Sequence, residues 1–77
     1  MTKEEIESYF LAETRDMDVS EITLVETKHS YLWAINCHLI KTKQGFDFYL
    51  FEGDHIPVNL YPIYPNITLQ MYYLMHI

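Results

Sequence analysis

Glu52-Gly53-Asp54-His55 is the densest group of chemically capable side chains in this sequence. Carboxylates beside an imidazole can orient the ring, raise its proton affinity and form an acid–base pair. The same four residues also make a good polar turn, because glycine bends easily and Asp54 can bond nearby backbone. Tyr49, Tyr61 and Tyr64 could add an aromatic wall. Asp54, His55, Tyr49, Tyr61 and Tyr64 are therefore the candidate ligand-binding residues, and no residue is assigned as catalytic.

The remaining histidines, His29, His38 and His76, lack metal-site spacing. Structural zinc takes three or four converging ligands, often in close pairs. No metal and no cofactor is expected. Cys37, the only cysteine, reads as a small core hydrophobe. On a strand its side chain and that of His38 point to opposite faces, so the two cannot act as a nucleophile–base pair. There is no glycine-rich phosphate loop, nucleophile elbow or zinc-protease helix motif. A non-enzyme is favoured over an enzyme.

The elements that must hold these residues begin with Thr2-Lys3-Glu4-Glu5, a capping-box pattern. Ile6, Tyr9, Phe10 and Glu13 follow at helical spacing and predict a helix over about residues 3 to 14. Met17, in the link after it, is expected to turn back towards that stripe. From Ile22 the period changes to two: Ile22 and Leu24 alternate with Thr23, Val25 and Thr27. Lys28-His29-Ser30 reads as a break.

A second strand then runs from Tyr31 to Ile40 and a third from Phe46 to Phe51. Joining the odd face of the second to the even face of the third places Leu39 opposite Phe48, across a two- or four-residue loop near Lys43 and Gln44. The same rule places Leu24 near Ile35 and Ile22 near Cys37. Val58 and Leu60 suggest a short edge strand after Pro57, which is tolerated at a strand start or edge. Tyr61-Pro62-Ile63-Tyr64-Pro65 is expected to lie extended as a strap. For residues 67–77 the alternation of Ile67, Leu69, Met71, Tyr73, Met75 and Ile77 favours a strand. The alternative is a helix capped by Asn66, burying Ile67, Met71, Leu74 and Met75.

The expected fold is thus α+β: an N-terminal helix on a three- to five-stranded, mainly antiparallel sheet, with the last segment a strand or alternatively a helix. Seventy-seven residues make one domain at most, covering 1–77. A chain of this size buries only about 60% of its unfolded surface, so its core is marginal without good packing or a partner.

The net charge is −6, and eight of the eleven acids lie at or before Glu26. Nucleic acid repels such a surface, which argues against it as a partner. No apolar run approaches the roughly 20 residues of a membrane span, so no membrane partner is expected. A lone cysteine and the lack of a cationic, apolar leader suit the cytoplasm.

The second sheet face is more apolar than a solvated one requires. Leu32, Ile40, Tyr49 and Phe51 are accordingly the candidate interface residues, since apolar surplus commonly marks contacts. The sequence reads as a small acidic interaction or regulatory protein. Self-association through that face, most simply as a homodimer, is expected, with a protein partner also open. The alternative is a small-ligand-binding or enzymatic domain using Glu52–His55.

Overall fold

The computed structural model describes residues 1–75, and His76 and Ile77 lie outside the described residues. The described residues form α1 (Lys3–Glu13), β1 (Thr23–Ser30), β2 (Ile35–Lys41), β3 (Asp47–Gly53), β4 (Ile56–Pro62) and α2 (Leu69–Leu74). The strands make one antiparallel meander in the order β1-β2-β3-β4. The class is α+β, with α1 against one face of the sheet and α2 against the other.

α1 begins where its capping box dictates. The Thr2 hydroxyl accepts from the Glu5 amide at 3.2 Å, and the Glu5 carboxylate accepts from the Thr2 amide at 3.0 Å. Two otherwise orphaned donors are satisfied. Those bonds hold the Glu5 carboxyl below its ordinary range. Ile6 and Phe10 point from α1 into a cluster with Ile40, Phe48 and Leu50. Phe10 meets Phe48 edge-on with ring centres 5.2 Å apart. Tyr9, partly buried, donates its hydroxyl to the Val58 carbonyl at 3.0 Å and ties the helix to β4. Met17 stays exposed instead of folding back.

The register differs from the expected one at both hairpins. Leu39 faces Tyr49 and Ile40 faces Phe48, so odd residues of β2 share a face with odd residues of β3. The cause is a three-residue loop, Lys43–Gly45, where an even loop was expected. Gly45 stands at φ +84° and donates to the Thr42 carbonyl at 3.1 Å, while the Thr42 amide donates to the Phe46 carbonyl at 3.1 Å. A left-handed residue closing a type I turn is the usual way to make a three-residue hairpin. One extra loop residue reverses the parity of the whole pair.

At the first hairpin Lys28–Ser30 continues β1, and the break comes at Tyr31–Ala34, where Ala34 takes φ +52°. Trp33 therefore sits in a turn and not on β2. Val25 is an extra residue in β1, so Leu24 faces Ile40 but Glu26 faces Leu39. Leu24 and Ile22 are thus remote from Ile35 and Cys37.

β4 is an edge strand as Pro57 requires, and it is longer than expected. Two of its residues, Pro57 and Val58, lie opposite the single residue Glu52, a bulge where a proline is tolerated. The Tyr61–Pro65 segment enters β4 through Pro62, and Ile63 adds one more bond to the Asp47 carbonyl.

The last segment is a helix, which corrects the preference for a strand. Its cap is Thr68, whose hydroxyl accepts from the Met71 amide at 3.3 Å, and not Asn66. Its buried residues are the adjacent Tyr72 and Tyr73, while Met71, Leu74 and Met75 stay exposed. Tyr72 and Tyr73 pack with Ile35, Cys37 and Phe51 on the face opposite α1.

Candidate functional site

Strand alternation turns His38 away from Cys37 and towards the α1 side of the sheet, at the margin of the Ile40–Leu50 cluster. There it is only 5% exposed, so both ring nitrogens need partners. The Thr27 hydroxyl lies 2.7 Å from Nδ1, supplied by β1, where Thr27 and His38 are directly paired. Glu52 Oε1 lies 2.9 Å from Nε2, supplied by the end of β3. The Met1 amine completes the series, 3.0 and 3.2 Å from the two Glu52 carboxylate oxygens.

The bonds define the proton positions. An ionised Glu52 accepts only, so Nε2 carries a proton and donates; in a neutral ring Nδ1 then accepts from Thr27. Burial pushes the Glu52 carboxyl up. The hydrogen bonds from His38 and the Met1 amine, with the charge of that amine, outweigh it and hold the group below its ordinary 4.5. Hydroxyl, imidazole and carboxylate in series are the parts of an activated-nucleophile system. Here the same parts join three neighbouring strands and the chain start.

The candidate ligand residues do not converge. Asp54 and His55 are the two exposed loop residues between the paired Gly53 and Ile56. Tyr49 and Tyr61 face each other further along the hairpin, four residues from Gly53, about 13 Å of strand. Both are half-buried and touch Tyr72, with ring centres 5.3 and 5.5 Å apart. Burial pushes the Tyr49 hydroxyl up. Tyr64 is exposed beyond β4. Among the described residues no pocket opens, and none forms a group of three or more metal-ligating side chains.

The interface candidates separate too. Ile40 (1% exposed) lies under α1 and Phe51 (0%) under α2, so neither reaches the surface. Tyr49 is half-covered by α2. Leu32 is 79% exposed, beside Tyr31 at 91%, at the tip of the β1–β2 hairpin. That tip is anchored, because Trp33 stacks on Tyr73 of α2 at 5.3 Å and 19°. Its amide also approaches the Ser30 hydroxyl at 3.4 Å.

The sequence pattern sets His38 on the face opposite Cys37 but gives no sign that it meets Thr27 and Glu52. Thr27 and His38 lie 11 positions apart, and the four-residue Tyr31–Ala34 turn, which pairs Ser30 with Ile35, decides that they meet. The available signal was His38 itself, a histidine set among Ile35, Leu39 and Ile40 that could be buried only with partners.

Comparison with protein-family models, curated proteins and solved structures gave no match. No helix among the described residues is long and apolar enough to cross a membrane.

Proposed function

We propose that this chain is a small non-enzymatic interaction protein that works by self-association, most simply as a cytoplasmic homodimer. The observation that carries this reading is the Tyr31-Leu32 tip. Two large side chains stand in solvent on a turn held in place by the Trp33–Tyr73 stack. A fixed apolar group loses little conformational freedom on binding, and covering a leucine is worth about 1.5–3 kcal/mol. The residues expected to make the contact are divided between a face covered by α1 (Ile40) and one covered by α2 (Tyr49 and Phe51), so the proposed contact moves to the end of the sheet, where Leu32 stays exposed. A net charge of −6 argues for a protein surface over nucleic acid.

Light scattering across a wide concentration range tests the reading. A mass rising to that of two chains is expected, and Leu32→Asp should return it to one. A single-chain mass throughout would refute it.

The alternative, a ligand-binding or enzymatic domain at Glu52–His55, draws support from one observation: Glu52 is bonded to the Thr27–His38 pair. An activated acyl ester is the direct probe. Turnover lost in Thr27→Val would favour this alternative, and no turnover above buffer would remove it.

A further inference from the structure

The two edges of the sheet are unequal. β4 carries Pro57 and Pro62, which have no amide proton, and it is bulged opposite Glu52. Edges so equipped resist further pairing. β1, the other edge, has no proline over its eight residues Thr23–Ser30. Beyond the Val25 bulge it runs in unbroken register with β2 from Glu26 to Ser30. Alternate residues of such a strand aim their N–H and C=O groups away from the sheet, where a new strand can bond them.

Charge on an edge usually repels a second strand, and β1 carries Glu26 and Lys28. These two are of opposite sign, both exposed, and 3.8 Å apart on one face of the strand. Between them is Thr27, whose hydroxyl turns to the other face to meet His38. A twofold axis at Thr27 would therefore place Glu26 against Lys28 of a second copy, and Lys28 against its Glu26. Opposite charges directly across an antiparallel pair are stabilising, and like charges are destabilising. A copy of the same strand in this register meets its complement at both positions.

We infer that two copies of this chain pair antiparallel along β1 with Thr27 on the twofold axis, joining two four-stranded sheets into one of eight strands. The inference rests on the self-association proposed above and specifies its geometry. Val25 then lies across from His29 of the copy, so the strand pair spans Val25–His29 on each side. Each Tyr31-Leu32 tip runs alongside Thr23 and Ile22 at the start of the copy's β1. The contact is isologous and closes at two, because the other edge of each sheet is the proline-bearing β4.

Charge reversal tests the register. By light scattering, Glu26→Lys and Lys28→Glu should each weaken the dimer by roughly tenfold or more, since each replaces two attractions by two repulsions. The double variant E26K/K28E should regain wild-type affinity to within about threefold. Both side chains are exposed, so the circular dichroism of all three variants should match wild type. Amide exchange is an independent readout: raising the protein concentration should slow exchange in β1 and leave β4 unchanged. A dimer indifferent to both single reversals, or a double variant as weak as the singles, overturns this geometry while self-association stands. A monomer at every concentration overturns both.

Discussion

The two faces of the sheet are closed by different means. On one, α1 supplies eleven residues with their own capping box, and Ile6 and Phe10 enter an otherwise aliphatic cluster with Phe48. The polar chain Thr27–His38–Glu52–Met1 amine closes its margin. On the other face, α2 has six residues and covers the sheet with rings. Phe51 contacts Tyr49, Tyr61, Tyr72 and Tyr73, and Trp33 stacks on Tyr73. A helix of six residues has no stability of its own in water. The α2 lid therefore exists only through its tertiary contacts, whereas α1 adds local interactions to its packing. The difference teaches that the aromatic face should open first and in isolation, while loss of the α1 face should unfold the whole chain.

The largest expected effect breaks that comparison directly. Phe51→Ala should destabilise by about 3–5 kcal/mol and Leu50→Ala by about 2–5 kcal/mol, each a large share of a small domain's stability. The distinguishing readout is the order of events in urea. In Phe51→Ala the near-ultraviolet signal of Trp33 and the tyrosines should fall before the far-ultraviolet signal. In Leu50→Ala the two should fall together. Coincident transitions in both variants would show that the faces are one cooperative unit.

Next in size is the polar margin. His38→Ala removes the bond that Glu52 receives inside the fold and should destabilise by about 1–3 kcal/mol in urea titrations near neutral pH. Glu52 has its own signature in pH. Its folded value lies below 4.5, so its contribution is complete above that value and is lost as pH falls through the depressed folded value. Glu52→Gln should flatten the stability profile on this acid side. A profile as steep as wild type would assign acid sensitivity to other carboxylates.

Smaller still is the bond from the Tyr72 hydroxyl to the Pro62 carbonyl, which fastens α2 to the end of β4. Tyr72→Phe keeps the ring and should lower stability by about 0.5–1.5 kcal/mol. Thermal melts of the two proteins side by side measure it, and an unchanged midpoint would show that ring packing alone holds the lid.

The mildest probe leaves the chain unaltered. Cys37 is buried in the α2 cluster, and burial pushes its thiol up to about 12. Thiolate, not thiol, reacts, so a disulfide reagent at pH 8 should modify it only as fast as the lid opens. Phe51→Ala should accelerate the reaction far more than Leu50→Ala does at equal stability. Equal rates would erase the distinction between the faces.

Much of this architecture could be read from residue order. Thr2 and Glu5 set the start of α1 because a capping box is complete within four residues. The meander was visible in period-two alternation, and Pro57 marked β4 as an edge. The separation of Cys37 from His38 follows from strand geometry alone. The register was not legible, because it depends on counting loop residues whose conformation is set by closure. Gly45 at φ +84° makes the second hairpin odd, and Val25 and Ala34 shift the first. The terminal helix was ambiguous for a related reason. Ile67, Leu69, Met71, Tyr73 and Met75 alternate as a strand would, yet the buried pair is the adjacent Tyr72 and Tyr73. The ring cluster around Phe51 settled that choice.

By itself, then, the sequence determined what short-range chemistry controls: the capped helix, the strand periods, the proline-bearing edge and an acidic surface. Tertiary structure alone decided which side chains meet. Thr27, His38 and Glu52 come together across separations of 11 and 14 residues. Ile40 and Phe51 pass from candidate surface to core, leaving Leu32 and the β1 edge outside. The physical reason is parity: in a sheet, one residue added to a loop or bulge exchanges the two faces, and no local preference records that count.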